Sequence, residues 1–206
     1  MTKPIVIGLT GPTGAGKSTV CHFLEKSNYK IIDADKVAHK ILKTNPDCKT
    51  KLIAEFGKSI VEPSGEIIRH ELAKLAFSSK DKTRKLNEIT HPFILEELKK
   101  LISDFKANSD TYAIILDVPL LFECHCDKLC DIIVSVVSNE EKRQARIVSR
   151  DSIGLSLASK IMLSQKSNNF YIENSDYILD NNSSIKELEN ETKKLFSHLK
   201  ESCYET

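Results

Sequence analysis

Residues 11–18 read Gly-Pro-Thr-Gly-Ala-Gly-Lys-Ser, which fills every fixed position of G-x-x-x-x-G-K-[ST]. Before this run, residues 5–9 are apolar, as in a buried parallel strand. After it, Val20, Phe23 and Leu24 recur at helical spacing. Strand, glycine loop and helix in that order leave few folds open. The glycines let successive backbone N–H groups turn inward as an anion nest, and the helix N-terminus adds its positive dipole end. Gly11, Gly14, Ala15, Gly16, Ser18 and Thr19 are the expected phosphate cradle. Lys17 supplies a point charge to the β- and γ-phosphates, and the Ser18 hydroxyl is a candidate Mg²⁺ ligand.

The rest of the chain continues the pattern. Strand-like runs occur at 29–32, 112–116, 132–137 and 177–179, with helical patterns between them. That alternation predicts an α/β fold with a five-stranded parallel sheet flanked by helices, of the P-loop NTPase type. Two intervals exceed a simple crossover. The first, 36–110, carries helical stretches at 36–42, 48–56, 69–77 and 92–105, and the second, 139–171, is helical and basic. Both are expected as inserts in a single domain of 206 residues, the first a helical region and the second a lid. Lys+Arg 30 against Asp+Glu 29 speaks against a globally basic nucleic-acid binder, so any anion site must be local. No run approaches the ~18 apolar residues of a membrane span. A cleaved leader would remove the loop, so a cytoplasmic protein is expected.

Several residues can carry chemistry. The second strand runs into Asp33-Ala34-Asp35. An acid there can take a proton from an attacking hydroxyl, or it can cap the helix that follows, and spacing alone leaves both open. The third strand closes on Asp117, the pattern of an acid that holds Mg²⁺ in P-loop proteins. Pro119 and Leu120 lie in an apolar stretch, 118–122, that lines a pocket or packs on a helix. Arg143, Arg146 and Arg150, three and four apart, share a helix face and call for anionic partners. A lid whose arginines fold over phosphates meets that need and keeps water out. Cys124, Cys126 and Cys130 cluster with His125, but zinc sites pair such an element with a second one at a distance. Reduced thiols are expected. A nucleotide switch is disfavoured: Asp151-Ser152-Ile153-Gly154 fits D-x-x-G but follows a helix, and no N-K-x-D sequence exists.

The chain resembles the dephospho-CoA kinase family nearly end to end. The resemblance rests on the loop, on residues 31–35, on 65–69 with Glu71-Leu72, on His91-Pro92, and on Val118-Pro119-Leu120-Leu121-Phe122-Glu123. It extends to Arg146, Arg150-Asp151, Gln165, Ser175-Asp176 and 180–182. It implies ATP- and Mg²⁺-dependent phosphorylation of the ribose 3′-hydroxyl of dephospho-CoA, the last step of CoA synthesis. It also implies roles: Asp33 as general base, Lys17 and Arg146 at the γ-phosphate, and Asn181 beside the adenine. Asp33, Asp35, Arg69, Pro119 and Leu120 are then the expected substrate contacts. A small-molecule substrate and a monomer or weak homo-oligomer complete the expectation. Pro12, Thr13, Ala15 and Ile68 depart from the family's usual residues, yet Gly11, Gly14, Gly16 and Lys17 are kept. The runner-up is another small P-loop kinase acting on a nucleoside monophosphate or a small alcohol.

Overall fold

In the computed structural model, residues 4–27, 29–108 and 112–204 are described, with 108 and 202–204 through their backbone alone. β1 (Ile5–Thr10) runs into the glycine loop and α1 (Lys17–Lys26), then β2 (Lys30–Asp33). Four helices follow: α2 (Ala34–Thr44), α3 (Pro46–Phe56), α4 (Arg69–Ala76) and α5 (Lys80–Asn108). The chain returns through β3 (Ala113–Asp117) and β4 (Ile132–Val137), then forms α6 (Glu140–Asp151), α7 (Leu155–Leu163) and α8 (Asn168–Glu173). It ends with β5 (Tyr177–Asp180) and α9 (Ile185–Tyr204).

The strands form one parallel sheet in the order β2-β3-β1-β4-β5. β1 is central, in register with β3 (Ile5↔Ala113, Leu9↔Asp117) and with β4 (Ile7↔Ile132). Its residues from Val6 to Thr10 are accordingly all buried. The chain fills one side of β1 first and the other side later. The C-terminal end of β1 is therefore the switch point where open α/β sheets bind ligands. Ile7, Leu9, Val134 and Val136 pack with Val20 and Leu24 of α1 and with Phe196 and Leu199 of α9.

Met1–Ile32 with Phe105–Thr206 form one compact unit, and Asp33–Asp104 form a second. Within the second, Asp33 caps α2 by accepting from Lys36 N at 3.0 Å, and Asn45 caps α3 by accepting from Cys48 N at 2.9 Å. Pro46 stands at the first helical position, where its missing N–H costs nothing. Leu52, Ile60, Leu72, Ala76 and Leu98 are its buried core.

The strands fall within a residue of the expected runs, but α5 does not begin at Pro92 as the sequence predicts. It starts at Lys80 and runs through the proline. The turn before Pro92 is held by its other bonds, and only the Glu88 carbonyl loses its i+4 donor.

Candidate active site

The loop after β1 turns on Gly14 (φ 80°) and Gly16 (φ 108°), a region that side chains rarely adopt. Space forbids side chains there as well. A Cβ on Gly14 would lie 2.7 Å from the Arg143 carbonyl oxygen, and one on Gly16 would lie 2.2 Å from Asn181 Nδ2. The loop is held from behind. Arg146 Nη1 donates to the carbonyls of Gly14 (3.1 Å) and Ala15 (3.4 Å), and Asn181 Nδ2 donates to Ala15 O at 2.7 Å. In a trans peptide the C=O and the next N–H point opposite ways. Tying the Ala15 carbonyl back therefore aims the Gly16 N–H forward. No side chain caps the N-terminus of α1. Its first N–H groups form the kind of cradle that phosphate oxygens fill.

Lys17 opens α1 and Asp117 closes β3, and the two side chains form an ion pair there, 14% and 15% exposed. Ser18 is exposed and Thr19 half-buried on the same turn. Behind them, burial first and then the negative charge of Asp117 push the Cys21 thiol well above its ordinary range.

The three arginines of α6 do not share one role. Arg143 is buried at 2% exposure and donates from Nε to Thr13 O at 3.0 Å. Arg146 is half-buried on the loop carbonyls and on Asn181 O (3.0 Å). Arg150 is exposed and forms a two-pronged pair with Asp151 at 2.7 and 2.9 Å. Sequence spacing found all three, yet it could not see that two of them serve backbone carbonyls distant in the chain.

Asp33 ends β2, and both its oxygens face Lys36: Oδ1 takes the backbone N–H, and Oδ2 lies 3.2 Å from Nζ. Burial works to raise its pKa, but the hydrogen bonds and charge of Lys36 outweigh it. The carboxyl therefore lies below its ordinary range. Asp35 is exposed in the first turn of α2. In the helical unit, Arg69 opens α4, contacts His39, and lines a cavity of about 520 Å³ with Leu42, His70, Phe77 and Ile94. Pro119 accepts from the Thr10 hydroxyl at 3.4 Å, and Leu120 is 46% exposed. Leu121 is buried, and Phe122 packs edge-on against Phe170 of α8 with centroids 5.2 Å apart. The stretch thus packs on a helix and leaves Leu120 outward.

Cys124 and Cys126 Sγ atoms lie 2.9 Å apart, and their shared hydrogen bond lowers the Cys124 pKa and raises that of Cys126. Among the described residues, no group of three His, Cys, Asp or Glu side chains is placed to hold a metal ion. Purified protein is expected to carry no stoichiometric zinc by elemental analysis. Zinc at one per chain, lost together with activity when Cys124 and Cys126 are replaced by serine, would contradict this.

A family model described as dephospho-CoA kinase matches residues 5–187. A dephospho-CoA kinase of Fusobacterium nucleatum subsp. nucleatum is 40% identical over 184 residues, covering 89% of this chain and 93% of the relative. Among solved structures, TT1252 from Thermus thermophilus superposes with a TM-score of 0.79 at 26% identity, over 96% of this chain and 98% of that one. A dephospho-CoA kinase from Campylobacter jejuni gives a TM-score of 0.73 at 26% identity, with the same coverage.

Proposed function

The chain belongs to the dephospho-CoA kinase family, and from that premise we propose how its residues carry the reaction. It is a kinase that phosphorylates dephospho-CoA to give CoA. ATP is the phosphoryl donor, and the ribose 3′-oxygen is the acceptor atom. The loop residues Gly11, Gly14, Ala15 and Gly16, with Ser18 and Thr19 of α1, cradle the phosphates, and Lys17 lies against the group in transfer. The Ser18 hydroxyl and Asp117 carboxylate, both hard oxygen donors, suit Mg²⁺, which when bound neutralises phosphate charge. Asp33 takes the proton of the attacking hydroxyl. Asp35, Arg69, Pro119 and Leu120 contact dephospho-CoA. Asn181 flanks the adenine and steadies Ala15. Arg146, expected at the γ-phosphate, acts from its present position through the loop carbonyls it holds.

The Lys17–Asp117 pair carries this reading. Each partner can exchange the other for a ligand of like charge. Lys17 trades a carboxylate for phosphate, and Asp117 trades an ammonium for a divalent cation. Both are mostly withdrawn from water, and away from water such charges act more strongly. No described helix is long and apolar enough to cross a membrane. The reading assigns the chain to the cytoplasm as a monomer or weak homo-oligomer acting on a small molecule, without nucleic acid.

With ATP, Mg²⁺ and dephospho-CoA, the expected products are ADP and CoA. Mass spectrometry should locate the added phosphoryl group on the ribose 3′-oxygen. Phosphorylation of nucleoside monophosphates alone, with dephospho-CoA untouched, would overturn the assignment.

A further inference from the structure

We propose that Gln165 is a positioning residue for the phosphate loop, acting through Thr13. Gln165 follows α7 and is half-buried. Its carboxamide spends both ends on one residue: Oε1 accepts from Thr13 N at 2.9 Å, and Nε2 donates to Thr13 Oγ1 at 2.7 Å. Arg143 Nε takes the remaining polar group, the Thr13 carbonyl, at 3.0 Å. The N–H, C=O and hydroxyl of Thr13 are thus all engaged by the segment from α6 to Gln165.

The consequence follows from peptide planarity. With the Thr13 carbonyl turned toward Arg143, the Gly14 N–H points the opposite way. With the Thr13 N–H held by Gln165, the peptide on its other side is fixed too. Gly14 has a permissive backbone and cannot hold this orientation by itself. Gln165 supplies the missing constraint from far along the chain, so the loop is pre-shaped and pays less ordering cost when phosphates arrive.

This rests on the reading that the loop binds nucleotide phosphates. ADP is the probe, because it carries the phosphates the loop cradles and its binding needs no acceptor. Gln165→Met keeps the bulk and removes both hydrogen bonds, and calorimetry is expected to show ADP bound about 10-fold more weakly. Thr13→Val removes only the hydroxyl half and is expected to cost about threefold. The double variant should be no weaker than Gln165→Met alone, because the two residues act as one unit. Adenosine competition should be unmoved, since it offers the loop no phosphate. Unchanged ADP affinity in either single variant, or penalties that multiply in the double variant, would overturn the proposal. Should Gln165→Met fail to fold, the nearly isosteric Thr13→Val still decides it. Wild-type protein that binds ADP but leaves dephospho-CoA unphosphorylated breaks the functional reading and leaves this one standing.

Discussion

Asp33→Asn is expected to lower kcat by about 10²–10⁴-fold while ATP affinity and folding stay nearly intact. Two roles compete at this position, and the substitution separates them. As a cap, Asp33 accepts from Lys36 N, and asparagine accepts there about as well. The ion pair with Lys36 disappears, but that lysine side chain is 81% exposed and the pair is worth ~0–1 kcal/mol at most. A residue that only caps would therefore leave kcat and the melting temperature alike. A general base cannot be replaced this way, since asparagine keeps the shape but takes no proton. The lowered pKa adds a second expectation. A carboxyl held below its ordinary range stays ionised as pH falls. The acid limb of the wild-type kcat/KM profile, which reports the free enzyme, should then lie below the ordinary carboxylate range. Steady-state kinetics with nucleotide calorimetry decide the matter, and a wild-type kcat in Asp33→Asn would move the base role to Asp35 or Asp117.

Lys17→Ala is expected to cut kcat by about 10²–10³-fold or more, by analogy with the loss of one preorganised donor at developing charge. The ammonium stands at the N-terminus of α1, where loop and helix dipole already favour phosphate. The variant also leaves Asp117 without its partner at 15% exposure. A stability loss of ~1–3 kcal/mol is expected from that, softened by the remaining solvent contact. Circular dichroism must therefore accompany the kinetics. A folded Lys17→Ala variant with near-normal kcat would remove Lys17 from the phosphoryl transfer.

What the sequence made legible was mostly local. Short apolar runs bounded by turn residues marked all five strands: β1, β3 and β4 are buried on both faces and so are nearly all apolar, while the edge strands β2 and β5 keep exposed positions. The loop motif marked the phosphate cradle, because few residue types tolerate the backbone at Gly14 and Gly16. What stayed hidden was tertiary. Pro92 suggested a helix start, yet the flanking turns carry α5 across it. Arg143 and Arg146 suggested a shared face over phosphates, yet their partners are carbonyls of residues 13–15, which only folding brings near. Gln165 stood out in the sequence only through the family resemblance, and nothing local pointed to Thr13 as its partner. Asp33 stood between two roles because a carboxylate after a strand suits both, and the cap bond now seen occupies one oxygen without deciding the other role.

The placement of β1 has a consequence for how the protein is made. Its register partner Ala113 is synthesised more than half the chain after Ile5, and the β4 partner Ile132 comes later still. At roughly 5–20 residues per second, the first strand leaves the ribosome on the order of ten seconds before it has a neighbour. The helices from α2 to α5 emerge in that interval, and their contacts are closer in sequence and quicker to form. The nucleotide-binding loop is thus translated well before the strands that give it its shape. Nucleotide cannot rescue a stalled nascent chain, because its own binding site waits for the strands that come after.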